Sequence, residues 1–81
     1  MTPEEARTTV RDALRQVAPD AEFDTLPADT SLRDTLELDS LDFEALVVQL
    51  SERSGPRIDE DDYSQLTTVG SCVDYLVSRA Q

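Results

Sequence analysis

Apolar residues recur at helical spacing in three separate stretches of the chain, and this pattern constrains the fold more than any other feature. Ala6, Val10, Ala13, Leu14 and Val17 form the first stripe; Phe43, Leu46, Val47 and Leu50 form the second. Val69, Cys72, Val73, Leu76 and Val77 form the third. A 3.6-residue period places each set on one face of a helix, and each face needs a partner to bury it. A chain of 81 residues has room for one domain, over 1–81. Phe23, Phe43, Tyr63 and Tyr75 are its aromatics, so Leu, Val and Ala must fill most of the core. That favours helices packed side by side over a deep enzyme pocket. The expected fold is therefore all-α: a small four-helix bundle of three main helices and one short one, with a long loop after the first helix.

Punctuation residues set the boundaries. Thr2-Pro3-Glu4-Glu5 reads as a helix start, with Thr2 as cap, Pro3 in the first turn and Glu5 completing a capping box. Pro19 stops that helix. Residues 19–38 hold two prolines and many Asp and Thr residues, which argues against one regular helix. Phe23, Leu26, Leu32, Leu36 and Leu38 punctuate the segment, so it is expected to pack on the core. A second helix opens at Asp39 and runs to about Arg53, stopped by Gly55-Pro56. Asp59-Glu60-Asp61-Asp62-Tyr63 reads as one short helical turn capped by Asp59, and a last helix starts near Thr67 or Thr68 and continues to Arg79.

Charge and missing residue types narrow the chemistry. Eighteen acidic residues against seven basic ones, all Arg, give a net charge of −11. Such a surface repels phosphate backbones, which excludes nucleic acid and anionic membrane as partners and draws basic protein patches instead. The chain has no His, so no imidazole base, His-based triad or His-ligated metal is available. Cys72 stands alone, which rules out an internal disulfide and a thiolate zinc site; on an apolar face it reads as a small buried residue. No apolar run approaches the ~20 residues of a membrane span, and the acidic start is no signal-peptide lead. The expected compartment is the cytoplasm.

One serine stands out by position. Ser40 lies just inside the second helix, in Leu38-Asp39-Ser40-Leu41-Asp42. Asp39 suits the cap, and Asp42 falls three residues later, where an acid complements the helix dipole. The same dipole favours an anion attached at Ser40. Asp and Ser before an apolar stripe ordinarily just cap, however, and on the tripeptide alone capping is the better reading.

Length, acidity, the long loop after the first helix, the Leu38-Asp39-Ser40-Leu41 motif and the short third helix occur in the order seen in acyl carrier proteins. The whole chain resembles that family. The resemblance implies a free-standing, monomeric carrier, not a catalyst. It implies a covalent 4′-phosphopantetheine arm on Ser40, with Asp39 and Leu41 completing the motif, whose thiol carries acyl thioesters between enzymes. A phosphopantetheinyl transferase, using coenzyme A and Mg²⁺, would attach the arm and supply the activating base, and acyl-loading and acyl-transferring enzymes would follow as partners. Cys72 is no substitute for the arm's thiol.

The resemblance also implies a docking stripe for basic patches on those partners. By position it consists of Leu41, Asp42, Val48 and Glu52, with Glu37 and Asp39 at its entrance. Carriers of fatty-acid synthesis resemble this chain but place more acids along this helix. Here Ala45, Gln49, Ser51 and Arg53 thin the charge, and Glu44 falls where such carriers tend to be apolar near the arm. The expected role is thus a specialised route, polyketide-like, secondary-metabolite or auxiliary fatty-acid. An aminoacyl or peptidyl carrier is the nearest alternative, although Glu37-Leu38-Asp39 lacks the glycine-rich approach usual there. An unmodified helical interaction module is the other.

Overall fold

Thr2 and Glu5 open the first helix by satisfying each other's amides. The Thr2 hydroxyl accepts from the Glu5 N–H at 3.1 Å, and the Glu5 carboxylate accepts from the Thr2 N–H at 3.3 Å. In the computed structural model, which describes residues 1–55 and 57–79, helix α1 spans Pro3–Val17. Ala6, Val10, Ala13 and Leu14 are buried along one side, as the spacing predicts, and Val17 is half-buried.

The long connection packs on the core. A 3-10 turn at Phe23–Thr25 buries Phe23 beneath the Arg7 guanidinium, 4.7 Å from its ring. Further on, the short helix α2, Leu32–Thr35, is capped by the Ser31 hydroxyl, which accepts from Asp34 N–H. Two backbone bonds lace this segment onto the start of the last helix: Leu32 N–H to Thr67 C=O at 2.8 Å, and Gly70 N–H to Ala28 C=O at 2.9 Å. Gly70 suits this close approach, because a Cβ there would lie 3.0 Å from the Ala28 oxygen and the Ala28 backbone would have to give by a few tenths of an ångström.

Helix α3 spans Ser40–Ser54 and buries Phe43, Leu46, Val47 and Leu50, the predicted stripe. Gly55, at φ +100°, ends it; Pro56, the other expected stop, lies outside the described residues. The short third helix is a 3-10 turn, Glu60–Gln65, and Asp59 precedes it without the side-chain cap expected of it. Helix α4 spans Val69–Arg79. Thr68 caps it, its hydroxyl accepting from Ser71 N–H at 3.0 Å. Here the buried stripe is rotated from the expected one: Tyr75 is buried, while Val73 and Val77 are half-buried. The reason is that α4 packs on α1 and also on the 3-10 turn, which Tyr75 faces.

Among the described residues no strand forms; a single bridge pairs Ser31 with Thr68. The architecture is all-helical with three long helices, and α1 is the common partner of α3 and α4, which share no comparable interface. Leu38, Ile58 and Leu66 complete the core from the connections.

Candidate functional site

The approach to Ser40 is a helix end followed immediately by a helix start. Leu36 closes α2, and Glu37 then takes a left-handed conformation, φ +53°. The Leu38 N–H returns to the Arg33 carbonyl at 2.9 Å, and the Leu38 side chain is buried. This is the 6→1 bond of a Schellman ending, with Glu37 at the position glycine ordinarily fills. Asp39 then caps α3: its carboxylate accepts from Asp42 N–H at 2.8 Å, and the Asp42 carboxylate accepts from Asp39 N–H at 3.5 Å. Buried Leu38 and the capping box fix the backbone on both sides of the motif.

Ser40 is the first residue of α3 and is exposed. It sits on the rim of a cleft of about 460 Å³, whose other walls come from Arg33, Phe43, Glu44, Glu60, Tyr63 and Thr67. Phe43 and Tyr63 meet edge to face at 5.8 Å between ring centres, forming the apolar floor. A second cleft of about 450 Å³ shares Glu44, Glu60 and Tyr63 with the first and continues along α3 past Val48 and Glu52. The two form one groove between α3 and the 3-10 turn, with Ser40 at its head.

Of the sequence-predicted docking residues, Val48 and Glu52 line this groove. Leu41 points away from the core, 75% exposed, and Val48 is 47% exposed. Asp42 is half-buried by its capping role, and Glu37 is exposed at the turn before the cap. Ala45 is exposed beside them, so the stripe Leu41, Ala45, Val48 does face solvent. The far wall, Glu60 and Tyr63, and the Arg33 corner were not legible as site residues, because only tertiary packing brings them opposite Ser40.

Cys72 is fully buried, and burial pushes its thiol up to about 12, so it is an inert core residue. The described residues contain no cluster of three or more His, Cys, Asp or Glu able to hold a metal, and no helix long and apolar enough to cross a membrane.

An open groove headed by an exposed serine suits a covalently tethered group, and the comparisons with known proteins identify a family that carries one. The model of the phosphopantetheine attachment site family matches residues 6–76. The acyl carrier protein of Acidothermus cellulolyticus is 35% identical over 78 residues, 96% of this chain and 92% of that protein. That of Lactobacillus johnsonii is 33% identical over 96% of both chains. A solved structure of the acyl carrier protein from Enterococcus faecalis superimposes with a TM-score of 0.75 at 30% identity, covering 96% of this chain and 98% of that one. The chain thus belongs to the acyl carrier protein family, non-catalytic carriers that hold 4′-phosphopantetheine covalently.

Proposed function

We propose that Ser40 is the attachment residue and that the chain serves a specialised acyl route. The observation that carries the first part is the exposed Ser40 hydroxyl, held by the Asp39–Asp42 capping box at the head of an open groove. In the attachment step the Ser40 Oγ attacks the pantetheine-side phosphorus of coenzyme A. The new Oγ–P bond forms as the pyrophosphate P–O bond breaks and adenosine 3′,5′-bisphosphate leaves. The hydroxyl proton passes to a base of the transferase, since this chain has no His to receive it. When bound, the arm supplies a terminal thiol that holds an acyl unit as a thioester.

The partner surface is the α3 side of the groove: Leu41 and Val48 as exposed apolar contacts, with Glu37, Asp39, Asp42 and Glu52 facing basic patches on acyl-handling enzymes. Support for a specialised route is the composition of this helix. Ala45, Gln49, Ser51 and Arg53 dilute its charge, and Glu44 puts a carboxylate in the cleft beside Ser40.

Intact-mass measurement after incubation with a broad-specificity transferase, Mg²⁺ and coenzyme A tests the attachment. The chain should gain the mass of one arm, and Ser40→Ala should gain none. A gain that survives this substitution refutes the assignment.

A further inference from the structure

An anion bonded to Ser40 would enter unfavourable surroundings. Glu37, Asp39, Asp42 and Glu44 all lie within four positions of it in sequence. The positive end of α3, which the sequence suggested would favour such an anion, is already partly neutralised by the Asp39 and Asp42 carboxylates, which accept from the Asp42 and Asp39 amides. A cation facing Ser40 would offset this charge.

Among the described residues Arg33 is the only basic one lining the Ser40 cleft. Its guanidinium lies 5.3 Å from the centre of the Phe43 ring. Among the described residues it forms no ion pair, although Glu44 and Glu60 line the same cleft. A guanidinium placed over an aromatic ring is oriented by that contact and keeps its N–H donors for another partner. Its backbone is also anchored, because the Arg33 carbonyl accepts the Leu38 N–H of the Schellman turn leading into Asp39 and Ser40. The same turn therefore fixes the backbone from which the exposed Arg33 side chain extends and the backbone that leads into Ser40.

Resting on the assignment of Ser40 as the attachment residue, we propose that Arg33 is a positioning residue that clasps the phosphodiester on Ser40 and holds the root of the arm across the cleft. The recognised chemistry is a pair of anionic oxygens matched by two guanidinium N–H groups. A carboxylate on a loaded acyl unit has the same chemistry. It would hang from the far end of the arm, however, whereas the phosphodiester is bonded to Ser40 on the rim of the cleft that Arg33 lines.

The test uses the ¹⁵N-labelled full chain before and after loading with the unacylated arm, followed by intact mass, the Arg33 Nε–H resonance and the ³¹P resonance of the phosphodiester. The Arg33 Nε–H signal should move on loading. In Arg33→Met, which retains an aliphatic chain over Phe43 without the charge, the ³¹P signal should shift toward that of the free phosphodiester. Subsequent loading with acetyl or malonyl groups should leave the Arg33 signal where the bare arm put it. Movement only with malonyl overturns the clasp in favour of a cargo carboxylate. A mass gain with Arg33 unmoved and ³¹P unchanged by Arg33→Met overturns the clasp while leaving the attachment standing. No mass gain, or a gain retained in Ser40→Ala, overturns the attachment and the clasp with it.

Discussion

The Tyr75 hydroxyl donates to the Asp62 carboxylate at 2.8 Å, tying the buried face of α4 to the 3-10 turn that walls the Ser40 cleft. Tyr75→Phe keeps the ring and removes this bond. Stability should fall by about 1 kcal/mol, measured by urea denaturation. Amide exchange at Leu66, whose N–H bonds to the Tyr63 carbonyl, should quicken as the wall loosens.

Glu37 holds a left-handed conformation that costs a side-chain-bearing residue roughly 1–2 kcal/mol. Glu37→Gly should therefore raise stability by about 1 kcal/mol, after the glycine's greater unfolded-state freedom is subtracted. Glu37→Val should lower it, since a β-branched residue tolerates this region least. Thermal melts of the two variants should move in opposite directions.

Val48 is a half-exposed apolar residue lining the groove next to Glu52 on α3. Val48→Arg places a cation where basic partner patches are proposed to land. Acyl transfer by such a partner should slow on the order of tenfold, mostly in the encounter step and less so at high salt. The circular dichroism spectrum and melting temperature should be unchanged.

Burial raises the Cys72 thiol from its ordinary value of 9.0 to about 12. Between those values the unfolded chain loses its thiol proton and the folded chain keeps it. The stabilisation is complete below pH 9 and is lost as pH rises toward 12, by up to about 1.4 kcal/mol per pH unit. Urea midpoints should thus fall more steeply with alkaline pH in the parent chain than in Cys72→Ala, even though the alanine variant starts lower because of the cavity. Tyr75, whose hydroxyl is also raised by burial and by its bond to Asp62, contributes equally to both and cancels in the difference. A thiol reagent should react with Cys72 only on unfolding.

The long helices and their caps were legible because those signals are local. Thr2 with Glu5, and Asp39 with Asp42, satisfy amides three residues away, and the apolar stripes follow one period. Helix α2 was not legible, since the Schellman turn that ends it uses Glu37 in place of the expected glycine. The burial of Tyr75 in preference to Val73 depends on a contact thirteen residues away, which periodicity within α4 cannot encode. At the site, Ser40 and the outward stripe of α3 could be placed from sequence. Arg33 and Tyr63 enter the cleft only because the loop and the 3-10 turn fold back over Phe43.

Because α1 serves both long neighbours while α3 and α4 share no comparable interface, the molecule has a spine and an adjustable side. A mutational library aimed at the exposed Arg33, Glu44 and Glu60 would retailor what faces Ser40 while leaving the buried stripes of the helices intact. One aimed at Ala6, Val10 and Ala13 would strike the packing that holds the bundle together. For anyone re-engineering this carrier toward a new enzyme or cargo, the workable design space is on the groove side.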